Sequence, residues 1–360
     1  MDDNNQALSA ISSPEIDAAL HAGAWAAISM SGGADSSACA YAAIKHLDAI
    51  DHDRTRRIAY HADLGRGDWP STGPTVAATA AALGIKLEVV RHGTHDMLSR
   101  WARRGELGRI RYAAFESVKL FGPWSGPGAM FCTSELKAKV LDATKKRLGG
   151  PVVSIVGLRR DESYGRRLTP IARDDTALSL LAKHPCQLWY PIAHWSKPDV
   201  FRLHAETGLS LHEAYSVYSS SRMSCAFCVV GSAPDSRAAV SAPGNHATYR
   251  EMVNMEISSG FSYQANRWLG DLAPALLDQS QIVGLAEAKR CAVERRRIET
   301  AIPPALLHRA AAGTVPEFAA ATILATVRKQ VAALHEMTAT HLTAAEIIAT
   351  CQRRMHGSKP

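Results

Sequence analysis

The run Ser31-Gly32-Gly33-Ala34-Asp35-Ser36-Ser37 lies between an apolar stretch, Ala24–Met30, and a helix-forming stretch, Ala38–Leu47. An apolar run of that length reads as a buried strand. The two glycines let backbone N–H groups converge on an oxyanion, and the start of a helix adds its positive end. A strand, loop and helix in this order need a covered sheet to lie on, which points to an α/β chain. Ser31, Ser36 and Ser37 supply hydroxyls for anionic oxygens. The spacing is neither G-x-x-x-x-G-K nor G-x-G-x-x-G. Asp35 is unusual in an anion cradle unless it caps the helix or helps hold a metal ion. The plainer alternative is a Gly-Gly turn with an Asp/Ser cap.

The next stretches repeat the pattern. Strands are expected at Ile58–Asp63, Lys86–Val90 and Pro151–Gly157, with helices at Thr75–Leu83 and Glu135–Leu148. Strands alternating with helices at these spacings predict a doubly wound parallel sheet. From about Lys183 the pattern loosens into a short strand at Leu188–Ile192, a helix at Lys197–Thr207 and a loop-rich piece, Val217–Pro234. Beyond Gly244 the chain reads as helical, most clearly at Ile282–Ile298 and Pro316–Met337, separated by Pro303-Pro304 and Gly313. The expected organisation is an N-terminal extension (1–20), a nucleotide-binding domain (21–240) and a helical C-terminal region (241–360).

Composition narrows the class. No stretch of the 360 residues approaches the ~18–20 uncharged apolar residues of a membrane helix, and the Met-Asp-Asp-Asn-Asn start does not resemble a secretory signal. Seven cysteines, an odd number, do not read as a disulfide framework, so a cytoplasmic, reducing location is expected. The net charge of +7 is local: residues 91–173 hold 17 Lys and Arg against 7 Asp and Glu. A polyanionic partner is the corresponding expectation. Most of these side chains are expected on solvated faces, including the outer lysines of the 135–148 helix. Arg290, Arg295, Arg296 and Arg297 form a second basic cluster, read first as a solvated helix face.

Taken together, the motifs carry a resemblance. SGGADSS after a first strand resembles the PP-loop of the ATP pyrophosphatase superfamily. Five further elements are similar to its phosphoadenosine phosphosulfate (PAPS) reductase-like branch. They are Asp63-Leu-Gly65, Cys132-Thr-x-x-Leu-Lys137, Gly157-Leu-Arg159-x-x-Glu162-Ser163 with Arg166, Trp195-x-x-x-Asp199-Val200, and Arg222-x-x-Cys225-x-x-Cys228. The ordered set is closest in character to the DNA-phosphorothioation sulfurtransferases. It implies an adenine nucleotide alpha hydrolase-like fold and cleavage of ATP between its α- and β-phosphates.

The resemblance also implies site residues. Ser31, Gly32, Gly33, Ser36 and Ser37 would cradle the phosphates, and Asp35 would hold Mg²⁺ or cap the helix. Lys137 and Arg159 would act with Asp35 at the reacting phosphate. Asp63, past a strand's carboxyl end, would lie near the base or ribose or on a metal, unless it is a solvated loop residue. Gly157, Glu162 and Arg166 would complete the nucleotide site, Glu162 orienting an arginine or ligating a metal.

Cys225-Ala-Phe-Cys228 brings two thiols together by local geometry, for a metal, a cluster or a redox pair. With Cys132 at the matching upstream motif, the resemblance implies a three-cysteine site. It would hold a [4Fe-4S] cluster, or Zn²⁺, or remain as free thiols. Phe131 stands where related reductases carry a second upstream cysteine, so a fourth ligand would be Cys186, a histidine or none. Cys39 reads as core, Cys291 and Cys351 as structural. His184, His194, His204 and His212 show no metal spacing.

The leading expectation is an ATP pyrophosphatase that adenylates an acceptor oxygen for sulfur incorporation. The acceptor would be nucleic acid (DNA or tRNA) or a small molecule, and a cysteine desulfurase or another donor would bring the sulfur. Trp101, Tyr112 and Trp124 are the aromatic candidates for a single-strand platform. One alternative is a PAPS/APS sulfonucleotide reductase, although the Glu-Cys-Gly-x-His nucleophile motif of those enzymes is missing from this sequence. A second is a non-catalytic nucleotide-sensing or nucleic-acid-binding module. The acceptor and the oligomeric state stay open.

Overall fold

The computed structural model describes residues 8–126, 128–307 and 315–355. Short apolar runs build a six-stranded sheet: β1 (Trp25–Ser29), β2 (Arg57–Asp63), β3 (Leu87–Arg91), β4 (Val152–Val156), β5 (Ala172–Asp174) and β6 (Cys186–Trp189). Their order is β3-β2-β1-β4-β6-β5, and every neighbouring pair is parallel except β5 with β6. The α/β doubly wound architecture is therefore present. The four anticipated parallel strands fall within one or two residues of their expected bounds. β5 was not anticipated, because Ala-Arg-Asp carries no apolar run for a sequence pattern to reveal.

Helices cover both faces. The Ala34–Ala49 helix lies close on one face because Ala38, Ala40, Ala42 and Ala43 present almost no side-chain bulk. Ile28, Met30, Leu47, Trp189, Val200 and Leu203 complete that core. On the other face Tyr60, Val90, Val152 and Leu178 pack with Val140 and Leu141. Lys145, expected on a solvated helix face, is instead buried and donates to Ser154 Oγ of β4 at 3.0 Å. Burial pulls its ammonium below the usual lysine range, against the opposing pull of Asp142, Asp175 and Cys186.

Two compact units divide the chain: Met1–Met97 with Pro127–His246, and Leu98–Gly126 with Ala247–Pro360. Six of the seventeen basic residues counted above (Arg100, Arg103, Arg104, Arg109, Arg111 and Lys119) thus belong to the second, helical unit. Its main helices are Gln279–Glu299, Phe318–Leu334 and Ala344–Met355. Gly313, expected between the first two, lies outside the described residues, as do residues 356–360 of the basic tail. Arg295, grouped by sequence with a solvated face, is buried, its Nη1 donating to Gly260 O at 2.8 Å. No helix among the described residues is long and apolar enough to cross a membrane.

Arg328 organises the helical unit. Fully buried, it donates to Tyr112 O (2.7 Å), Thr340 O (2.9 Å) and His341 O (3.2 Å), with its guanidinium against the Tyr112 and Phe115 rings. Carbonyls at a helix end are a favourable place for a cation, and no carboxylate is needed. Arg328→Met leaves those carbonyls unpaired in an apolar site and is expected to destabilise this unit by about 3 kcal/mol in denaturant unfolding. A second expectation concerns acid. Burial, reinforced by Arg295 and Arg109, holds His335 down to about 4 from an ordinary 6.5, so it folds neutral. The unfolded chain binds the extra proton between those values, so this contribution is complete above pH ~6.5 and is lost as pH falls toward ~4. The melting temperature of His335→Asn should therefore depend less on pH across that window than that of the unaltered chain.

Candidate active site

β1 sits between β2 and β4, and the chain departs from its carboxyl end in one direction and from that of β4 in the other. In an open α/β sheet the crevice at such a reversal is where ligands bind. The glycine loop occupies it. Gly32 has a φ of +83°, a conformation that side chains resist, and an added Cβ would press on Thr72 and Val76. The helix begins at Ala34 rather than Ala38, with Gly33 as its N-cap, so Asp35, Ser36 and Ser37 stand in its first turn. Ser36 Oγ and Ser37 Oγ both donate back to Gly33 O, at 2.8 and 3.3 Å. Ser36 Oγ also accepts from Ser31 N and Ser31 Oγ, each at 3.2 Å.

The end of β4 closes on this helix. A Cβ on Gly157 would lie 2.7 Å from Asp35 O and 3.1 Å from Cys39 Cβ, so the approach requires glycine. Two residues on, buried Arg159 places Nε 2.5 Å from Asp35 Oδ1 and also pairs with Asp161. Burial disfavours its charge, but Asp35 outweighs this and raises the guanidinium above its ordinary value. Arg159 N donates to Glu162 Oε1 at 2.9 Å, and the other Glu162 oxygen pairs with Arg166. Asp35 thus faces an arginine, and Glu162 organises two of them.

A cleft of about 320 Å³ joins the loop to the cysteines. Ser31, Ser36, Gly157, Asp68, Lys137, Cys132, Cys225 and Cys228 all border it. Lys137 reaches it because the expected helix is widened into a π-helical turn at Ser134–Ala138, between the short Phe131–Thr133 turn and the Lys139–Lys145 helix. Burial would lower the Lys137 ammonium, but Cys225, Asp68, Cys132 and Cys228 together hold it above the usual range. Burial pushes the Cys225 thiol up to about 12, opposed in part by Lys137. It also raises the Asp68 carboxyl, although Leu64 N donates to Asp68 Oδ2 at 2.9 Å. The cysteine loop is pinned by Ala226 N donating to Gly67 O (3.0 Å) and by Asp235, which accepts from Ser220, Ser221 and Ser232.

The three thiols share a cleft, yet among the described residues no group of three or more His, Cys, Asp or Glu side chains is disposed to hold a metal ion. As placed, they do not form a ligand set for a cluster or zinc. Cys186 cannot complete one: it pairs with Val152 at the amino end of β4, opposite the cleft. Asp63 is not among the cleft residues. It accepts from Gly65 N at 2.6 Å and from Arg91 Nη2 at 2.6 Å. Trp101, Tyr112 and Trp124 are buried in the helical unit and present no stacking platform. Sequence reading missed Asp68, five residues past the motif aspartate, and Tyr215, whose hydroxyl accepts from Ala34 N; neither falls on a motif.

The Gly157 contact is directly testable. Gly157→Ala is expected to lose about 1–3 kcal/mol by overpacking, whereas Gly165→Ala, where an added Cβ meets nothing within 4 Å, should melt as the parent does.

Residues 26–237 match the family model described as the phosphoadenosine phosphosulfate reductase domain. No curated protein matches the chain. The matched span contains the glycine loop, Gly157, Lys137 and the three cleft cysteines. By that match the chain belongs to the phosphoadenosine phosphosulfate reductase domain family.

Proposed function

We propose that this protein is an enzyme that binds ATP in the cleft, cleaves it between the α- and β-phosphates, and adenylates an acceptor oxygen for sulfur incorporation. The observation that carries this reading is the single cleft bordered by the glycine loop, Lys137 and three cysteines. Phosphate binding and sulfur handling are thereby adjacent. In the proposed step an acceptor oxygen attacks the α-phosphorus, the bond to the bridging oxygen breaks, and pyrophosphate leaves with both electrons. A sulfur nucleophile then displaces AMP from the activated acceptor.

The chain's own groups have matching roles. Backbone N–H groups around Gly32 and Gly33 receive the terminal phosphates at the positive end of the helix. Ser31, Ser36 and Ser37 turn their hydroxyls outward from their internal acceptors. Lys137 neutralises charge growing on the phosphates, a task suited to a cation kept protonated in a shielded cleft. Arg159 fixes Asp35 and thus the first turn of the helix. Glu162 and Arg166 hold the loop that carries Arg159. Mg²⁺ commonly takes one or two carboxylates together with phosphate oxygens and water, and Asp68 is the carboxylate that borders the cleft. Such an ion would neutralise phosphate charge.

The cysteines enter this reading as thiols, since an iron–sulfur cluster or zinc would require Cys132, Cys225 and Cys228 to converge from their present places. The sulfur would come from a separate donor such as a cysteine desulfurase. The acceptor that suits a basic, phosphate-binding chain is DNA or tRNA. The second reading, a sulfonucleotide reductase, is favoured by the same thiols bordering the phosphate site. It requires a nucleophilic cysteine of its own, and the Glu-Cys-Gly-x-His motif that supplies one in those enzymes is missing from this sequence.

The two readings separate by product. With ATP, Mg²⁺ and acceptor, the first expects AMP and pyrophosphate, reduced about a hundredfold or more in Lys137→Met and Ser36→Ala. Thioredoxin-dependent sulfite release from PAPS, with no pyrophosphate from ATP, would replace it with the second.

A further inference from the structure

Tyr215 stands outside every motif and every role assigned above. Its hydroxyl accepts from two backbone amides that belong to different parts of the site. One is Ala34 N, in the first turn after the glycine loop, at 3.4 Å. The other is Met223 N, two residues before Cys225, at 2.8 Å. The geometry around the loop is consistent with this bridge. A Cβ on Gly33 would lie 3.6 Å from the Tyr215 hydroxyl and 3.7 Å from Met223 Cβ, and one on Gly32 would lie 3.5 Å from Met223 Cε. Met223 therefore lies over the two glycines, beside the surface where a phosphate would settle. Ser31 Oγ, at 3.4 Å from Gly33 N, fills a neighbouring position in the same internal arrangement.

The two bonds to the hydroxyl are unequal. The Ala34 contact is long and the Met223 contact is short. An anionic phosphate oxygen is a stronger acceptor than a phenol and competes first for the weaker contact. The ring itself is anchored by Phe201, edge to face at a centroid distance of 5.6 Å. The oxygen is fixed in the ring plane, so displacing it from Ala34 tilts the ring against Phe201 and shifts the acceptor that holds Met223 N. Beside this contact, Asp235 holds Ser221 N before the cysteine segment and Gly67 O holds Ala226 N within it.

We infer that Tyr215 is a positioning residue that couples occupancy of the glycine loop to the segment carrying Cys225 and Cys228. In the free protein its hydroxyl holds the Ala34 N–H and Met223 lies beside the phosphate position. Arrival of a phosphate takes the Ala34 N–H, releases the hydroxyl and moves Met223 off the glycines. The Met223 amide loses its acceptor, and the cysteine segment is freed only once nucleotide is bound. The groups facing Tyr215 include Asp35 and Arg159, whose opposite charges oppose one another at the hydroxyl. The coupling is therefore steric and hydrogen-bonded rather than a matter of titration. It rests on the nucleotide reading above and adds an order of events: phosphate first, cysteine loop second.

Hydrogen–deuterium exchange on the full chain tests this, with Mg²⁺ and α,β-methylene-ATP or inorganic pyrophosphate as probes and binding measured by calorimetry on the same sample. In the parent protein the peptide spanning 222–229 should exchange at least about fivefold faster when a probe is bound. In Tyr215→Phe that peptide should already exchange fast without probe and change less than about twofold on binding. Because no internal hydroxyl must be displaced, Tyr215→Phe should bind the probe about two- to tenfold more tightly, the opposite of what a merely structural role predicts. Probe binding with no rise in exchange, or a full rise retained in Tyr215→Phe, overturns the coupling and leaves the nucleotide reading intact. Failure of both probes to bind the parent protein overturns the nucleotide reading, and the coupling with it.

Discussion

The contact between Gly157 and the carbonyl of Asp35 is the constraint on which the nucleotide-binding unit depends. It lets the end of β4 come within touching distance of the helix that starts after β1. That closeness brings Arg159 to Asp35 and so fixes the first turn of the helix that follows the glycine loop. A single methyl group at position 157 would hold these parts apart.

The helical unit has an analogous centre in Arg328, which gathers carbonyls from two distant stretches of chain without a carboxylate partner. Both centres use a buried arginine, and they differ in its partner. In the first the partner is Asp35, in the first turn of the helix after the glycine loop, so the pair ties β4 to that helix. In the second the partners are backbone ends, so the arginine serves packing alone. This is why the basic excess between residues 91 and 173 does not translate into one phosphate-binding surface. Part of it belongs to the helical unit, and Lys145 is spent inside the sheet domain.

Much of the fold could be read in the sequence, because buried parallel strands are short apolar runs and the glycine loop sits where strand gives way to helix. The cleft was legible only in part. Cys132, Lys137, Gly157, Cys225 and Cys228 were named from motifs, and the structure brings all five to one cleft. Asp63 was named with them but turns to Arg91, and Asp68 borders the cleft in its place. Nothing in the sequence separates an aspartate that ends a strand from one five residues on in the loop, since the direction of each side chain follows from how the chain folds over Gly65 and Gly67. The π-helical turn at Ser134–Ala138 is equally hidden, because one widened turn leaves the helical pattern almost unchanged.

By itself the sequence determined that this chain forms a doubly wound α/β sheet with a glycine-rich loop after its first strand, and that cysteines and basic residues accompany it. Those features follow from local periodicity and from glycines at fixed positions. Only the tertiary structure decided which side chains share the cleft, that Asp35 faces Arg159, that Cys186 lies at the far end of the sheet, and that Tyr215 bridges the loop and the cysteine segment. These depend on strand order and on close approaches between residues more than a hundred positions apart. Distances of that kind are set by packing, for which local sequence carries no signal.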